Sequence, residues 1–195
     1  VTVPVATTQD ALHEGNEIFT ATLSAPSGAT LGAAGTEAAT GTITDDEGVP
    51  TVSIANADAT EGSPVNFLVT LSGLSATDTT VTFTTTTGTA GAADFTSIDS
   101  TVTIPSNTLS VTVPVVTALD ALVEGNENFT ATLSAPSGAT LGTAVATGTI
   151  NEAVPTVSIA NAAATEGSPV NFTVTLSSLS ATDTTVTFTT TTGTA

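Results

Sequence analysis

The chain repeats itself at a period close to 105 residues, and that period limits what it can fold into. TATLSAPSGATLG occurs at 20–32 and, unchanged, at 130–142. LSATDTTVTFTTTTGTA occurs at 74–90 and 179–195, and VPTVSIANA at 49–57 and 154–162. The first offset is 110 and the other two are 105. The difference lies between Leu31 and Pro50, where LGAAGTEAATGTITDDEGVP faces the shorter LGTAVATGTINEAVP of 141–155. A unit of this length is a whole domain, not one turn of a solenoid.

The period divides the chain into the back half of one repeat (1–47), one complete repeat (48–152) and the front part of another (153–195). Val1 matches Val111 and Ala195 matches Ala90, so residues 91–110 have no counterpart in either fragment. Two readings stand open: a window from a long, nearly uniform array, or chains that complete each other's split domain. In both, residues 153–195 are expected to associate head-to-tail with residues 1–47 of the next identical copy. Phe172, Val174, Val186 and Phe188 on one side, and Val3, Val5, Phe19 and Leu23 on the other, otherwise face water. At about 25 cal/mol per Å² of apolar surface, that exposure costs several kcal/mol. The link is covalent in an array and strand complementation between separate chains. Such a contact propagates as an open line unless its rotation closes.

Within the complete repeat the apolar residues alternate, which is the period of a half-buried strand. Strands are predicted at Thr51–Asn56, Pro64–Ser72, Thr80–Thr87, Thr101–Pro105, Leu109–Thr117, Asn128–Ala135 and Ala139–Ile150, the last broken by Gly142. Val65, Phe67, Val69 and Leu71 share one face, as do Val81 and Phe83, and Phe129, Ala131 and Leu133. Seven short strands at this spacing predict an all-β, two-sheet sandwich, and no stretch carries a helical period. Thr80, Thr82, Thr84 and Thr86 form an uncharged outer face, and contacts between copies are expected to use such strands as edges.

The chain has no Lys, Arg, Cys, Met, Trp or Tyr, and its formal net charge is −18. Without cationic side chains, binding to nucleic acid or to an anionic membrane surface is excluded. The absence of Cys excludes disulfides and thiolate metal sites, and suits a secreted protein. No apolar run is long enough to span a bilayer. The sequence opens within a strand pattern, Val1-Thr2-Val3-Pro4-Val5, so any targeting segment is expected elsewhere. The charge itself reads either as solubility through self-repulsion or as carboxylates that bind a cation.

Enzymatic chemistry finds little support. His13 matches Val123 and reads as a solvated loop residue. Glu124 and Glu127 pair as carboxylates, yet a glycosidase without Trp or Tyr has no sugar platform. Ser and Thr abound, but no repeated His exists to activate them. Asn128-Phe129-Thr130 and Asn171-Phe172-Thr173 match the N-glycosylation pattern with Asn pointing outward, which reads as coincidence in a bacterial protein.

Four features occur in a familiar order. PTVSIANADATEG ends in Glu61-Gly62; Thr87-Gly88-Thr89-Ala90 leads to Gly91-Ala92-Ala93-Asp94-Phe95. An acidic loop runs from Asp120 through EGNENF to Phe129, and a closing GTI strand enters an acidic linker. The pattern resembles the Calx-β domain, found in tandem in sodium–calcium exchangers, integrin β4 and large bacterial surface proteins. The resemblance implies tandem immunoglobulin-like sandwiches of about seven strands, with carboxylates gathered at one end beside the next domain.

Carried over by matching position, the implied calcium ligands are Glu61, Asp94, Asp120, Glu124 and Glu152. In the first fragment they are Asp10, Glu14, Asp45, Asp46 and Glu47, and in the last fragment Glu166. Calcium takes six to eight hard oxygens, and converging carboxylates repel one another until a cation arrives. Leu119 stands where calcium-binding members often carry a further Asp, and one junction has Asp45-Asp46-Glu47 where the other has Asn151-Glu152. A second reading makes Glu61 and Glu124 parts of tight Glu-Gly turns with solvated charges. The function expected is a structural repeat of a bacterial extracellular filament or surface stalk, with calcium at its junctions. The alternatives are an adhesive module and a calcium sensor. Near-identical copies favour the first, because sensors need tuned differences.

Overall fold

The computed structural model describes residues 1–120, 122–152, 155–180 and 182–193. Among these, every regular element is a strand. The first fragment holds β1 (Leu12–His13), β2 (Glu17–Thr22) and β3 (Ala38–Ile43). The complete repeat holds β4 (Thr51–Ile54), β5 (Ala57–Thr60), β6 (Val65–Leu71), β7 (Leu74–Ser75), β8 (Thr79–Thr87) and β9 (Asp99–Ile104). It continues with β10 (Ser110–Val115), β11 (Leu122–Val123), β12 (Glu127–Ser137), β13 (Thr140–Leu141) and β14 (Val145–Asn151). The last fragment holds β15 (Val157–Ile159), β16 (Val174–Leu176) and β17 (Leu179–Ser180).

The complete repeat is a two-sheet sandwich. One sheet has the order β10-β6-β4-β13 and the other β5-β14-β12-β8-β9. The alternation read from the sequence sets the inner faces. Val65, Phe67, Val69 and Leu71 of β6 are buried against Val81 and Phe83 of β8 and Phe129, Ala131 and Leu133 of β12. Phe67 meets Phe83 and Phe129 edge-on, with ring centroids 5.7 and 5.8 Å apart. Phe95 stacks on Phe129 at 4.3 Å. Such pairs add stability beyond burial alone.

One predicted strand is followed by a further strand in the other sheet, and another is divided between the sheets. Thr51–Asn56 ends as β4 in one sheet; the chain then crosses, and β5 pairs in parallel with β14 in the other. Asn56 marks the crossing, its Oδ1 accepting the N–H of Thr147 at 2.8 Å. Ala139–Ile150 divides likewise into β13, parallel to β4, and β14, antiparallel to β12. At that crossing Ser53 Oγ accepts the N–H of Thr143 at 3.1 Å. The Thr-rich strand is not an edge: β8 is hydrogen-bonded to β12 on one side and β9 on the other. Its threonine side chains point off the sheet, while its backbone groups are already paired.

The fragments repeat parts of this architecture. β2 and β3 pair as β12 and β14 do, with Phe19 opposite Gly41 as Phe129 is opposite Gly148. β15 and β16 pair in the register of β4 and β6. Between successive repeats runs a two-residue parallel bridge. Leu12 and His13 of β1 lie beside Leu74 and Ser75 of β7, and Leu122 and Val123 of β11 beside Leu179 and Ser180 of β17.

Candidate metal centre

Six acidic residues of the complete repeat come from four places in the sequence and gather at one end of the sandwich. Glu61 follows β5 and Asp94 precedes Phe95. Asp120 and Glu124 lie in the loop around β11, Glu127 opens β12, and Glu152 follows β14. Two Glu-Gly turns fix part of this arrangement. Gly62 and Gly125 have φ of +77° and +93°, in the left-handed region that glycine enters without a steric penalty. The matching Gly167 and Gly15 have +87° and +75°. The turn reading of Glu61 and Glu124 is therefore correct for the backbone, and their carboxylates still face the other acids.

Backbone N–H groups orient most of the carboxylates. Glu61 Oε1 accepts from Asp120 at 3.1 Å, and Asp120 Oδ1 from Leu122 at 2.6 Å. Asp94 Oδ2 accepts from Gly91 at 2.6 Å, and Glu152 Oε2 from Glu124 at 2.7 Å. In each the second oxygen has no such partner among these contacts. Asp94, Glu124 and Glu127 each offer an oxygen within 4.8 Å of the others. Burial, with Asp94, Glu124 and Glu152 nearby, pushes the Glu127 carboxyl up to about 7. Partial burial raises Glu61 as well, helped by Glu152 and Asp120 and opposed by the N–H of Asp120. Groups held at such cost in the charged form are suited to a cation.

This donor set fits calcium. It supplies hard oxygens from several carboxylates, each with a lone pair to spare. Glu127 was not among the ligands implied by matching positions. Its place was nevertheless readable: it lies two residues before Phe129, so alternation puts it on the inner face, at the end of the sandwich.

The first fragment repeats half of this geometry. Asp45 stands where Glu152 does, and its Oδ2 accepts the N–H of Glu14 at 3.1 Å and of Gly15 at 2.7 Å. Asp10 Oδ1 accepts from Leu12 at 2.9 Å, as Asp120 does from Leu122. The N–H of Gly15 leads the contacts that lower the Asp45 carboxyl, whereas desolvation and neighbouring acids raise Glu14 and Glu47. Gln9 Nε2 donates to both oxygens of Asp46, at 2.9 and 3.1 Å. His13 is not simply solvated: it is half-buried, with Nδ1 2.9 Å from Asp45 Oδ2 and 3.0 Å from the carbonyl of Glu47. Asp10, Asp45 and Asp46 are thus engaged with the protein's own donors. Glu166, in the last fragment, is exposed.

A two-sheet sandwich with a carboxylate cluster at one end, beside the following repeat, defines the class. The profile of the family described as "Calx-beta domain" matches residues 1–47 and 49–161, and the chain belongs to that family. The crystal structure of the apo-form Calx CBD1 domain is similar in fold, with a TM-score of 0.50 and 19% identity over 55% of this chain and 100% of that one. The crystal structure of the calcium binding domain CBD12 of CALX1.1 matches with a TM-score of 0.48 and 22% identity, over 52% of this chain and 45% of that one. No curated protein matches the sequence.

Proposed function

We propose that the chain is a structural segment of a bacterial extracellular filament or surface stalk, built of Calx-β repeats whose junctions are stiffened by calcium. One observation carries this reading: both junctions form the same parallel bridge, Leu12 with Leu74 and Leu122 with Leu179. They do so although the connection at 44–50 is two residues longer than that at 151–155. A spacer needs each repeat to meet the next in one way, and a contact repeated at matching residues supplies that.

Glu61, Asp94, Asp120, Glu124, Glu127 and Glu152 would hold the ion, and its chemistry there is charge neutralisation. The acidic loop that contributes Asp120 and Glu124 also contains β11, so ordering that loop orders the bridge. No catalytic role is proposed, since Glu124 and Glu127 converge with Asp94 beside a repeat junction.

Small-angle scattering of the whole chain tests the reading. An extended particle whose maximum dimension persists with chelator and whose flexibility falls on adding calcium is expected. A compact particle, or freely bending junctions with calcium present, overturns it.

A further inference from the structure

The first and last strands of the complete repeat run side by side in the same direction. β13 is parallel to β4, with Thr140 beside Thr51. β14 is parallel to β5, from Gly148 beside Ala57 to Asn151 beside Thr60. The N–H groups of Thr140 and Gly142 donate to the carbonyls of Pro50 and Val52, and that of Ile54 to the carbonyl of Thr143, each at 2.9 Å. At the far end the N–H of Glu61 donates to the carbonyl of Asn151 at 3.1 Å. Where the chain changes sheet, side chains carry the connection on. Ser53 Oγ and Asn56 Oδ1 accept the N–H groups of Thr143 and Thr147. Asn151 Nδ2 donates to Asp58 Oδ2 at 2.8 Å. Segments 50–61 and 140–151 are thus tied to each other from one end to the other.

This arrangement sets how the repeat meets a pull along the chain. The chain enters at Pro50, ahead of β4, and leaves after Asn151, the last residue of β14. In a parallel pair the start of one strand lies beside the start of the other. Entry and exit are therefore at opposite ends of the tied segments. Tension drawn through them slides one segment past the other. Sliding loads all the ties together, whereas peeling from one end breaks them singly.

We infer that the complete repeat is a load-bearing module, with segments 50–61 and 140–151 as its clamp. The inference deepens the spacer reading, on which it rests for the source of the load, by naming tension as what the spacer transmits. The clamp lies within the complete repeat, and the chain continues on either side of it. β9 provides the contrast: it lies at the edge of its sheet and pairs there only with β8, away from the clamp.

Single-molecule pulling on the whole chain tests this. In one geometry the chain is held by a cysteine added at each terminus, which loads the clamp in sliding. In the other it is held at Gly48→Cys and Ser137→Cys, just ahead of the two segments, which peels them apart. No native Cys competes for the handles. In the first geometry, release of the complete repeat is recognised by its length, about 3.5 Å per residue over 50–152. Forced unfolding is governed by the unfolding barrier, so sliding should need at least about twice the force of peeling. Asn56→Ala and Thr140→Pro each remove one tie and should lower the sliding force. Val102→Ala in β9 should lower the urea midpoint and leave the sliding force unchanged. Melting curves report that the variants fold, and Asn56→Ala carries the comparison if Thr140→Pro does not. Equal forces in the two geometries overturn the inference. So does a loss of force in Val102→Ala as large, for the same loss of urea midpoint, as that in Asn56→Ala. A weak clamp leaves the scattering result unchanged, and a compact particle in scattering leaves the force unchanged, so the two readings fail separately.

Discussion

Glu152 Oε2 accepts the backbone N–H of Glu124 at 2.7 Å, tying the acidic loop to the residue that follows the last strand of the repeat. Asp45 and Glu14 make the same contact at 3.1 Å in the first fragment. The loop so held carries β11 or β1, the strand that bridges to the next repeat. Charge at the acidic end and geometry at the junction are therefore properties of one loop. The amides of Asn126 and Asn151 bond each other at 3.0 Å, and Asn126 Oδ1 accepts from the N–H of Glu152 at 3.1 Å, closing the same corner.

Gly148 lies flat against the ring of Phe129, and a Cβ there would collide with three ring carbons. Phe129 is fully buried among Phe67, Phe95 and β14, so the ring has nowhere to move. Gly148→Ala should destabilise the complete repeat by about 1–3 kcal/mol, the range for overpacking. Gly41→Ala creates the same collision with Phe19, which is only half-buried and can rotate away. It should cost much less, and urea midpoints of the two variants check the difference.

Thr79 Oγ1 is buried without a hydrogen-bond partner. Its neighbours in the register alternate toward Val81 and Phe83, so the hydroxyl sits at the margin of an apolar face. Thr79→Val keeps the shape and removes the orphaned group. Stability should rise by about 1 kcal/mol, read as a higher urea midpoint with an unchanged slope.

The inner faces were legible because alternation is enforced by the pleat: Phe67, Phe83 and Phe129 were assigned inward from parity alone and are fully buried. A strand end at Asn56 and a break at Gly142 were legible, but that the chain changes sheet there was not, because the pairing partner is set by distant segments. The inter-repeat bridge was not legible either, since strands of two residues carry no periodicity. The acidic end was reached by resemblance, which placed Asp94 and Glu124 but passed over Glu127. Chain parity with Phe129 held that information. The half-buried setting of His13 is not legible in the sequence, because its partner Asp45 is brought close only by folding.

Inter-repeat geometry should follow the bridge and not the connection length. The N–H of Ala76 donates to the carbonyl of His13 at 3.0 Å across the first junction. Inserting two glycines after Glu47 should leave the distance between spin labels at Ser24→Cys and Thr86→Cys narrowly distributed. Ala76→Pro removes the donor and should broaden that distribution. The chain has no native Cys, so the labels are unambiguous. A broad distribution in the glycine insertion, or a narrow one in Ala76→Pro, would assign control to the connection instead.

Glu127 links calcium to pH. Burial and the neighbouring acids push its folded carboxyl up to about 7, against an ordinary value of 4.5. The folded state therefore keeps a proton that the unfolded chain has released between those values. By linkage, stability falls as pH rises through that window, with Glu61 contributing in the same direction. Calcium reverses the sense, because it competes with the proton for the same oxygens. The rise in melting temperature caused by millimolar calcium should be small at about pH 5 and grow through neutrality to about pH 8. Glu127→Gln removes one charge from the cluster. Without calcium at about pH 8 it should melt a few degrees higher than the unsubstituted chain, and its melting should lose most of its dependence on pH and on calcium. Differential scanning calorimetry of both proteins, with calcium and with chelator, reads all of these. An undiminished calcium effect in Glu127→Gln would remove this carboxylate from the site, and a calcium effect as large at about pH 5 as at about pH 8 would uncouple the ion from its titration.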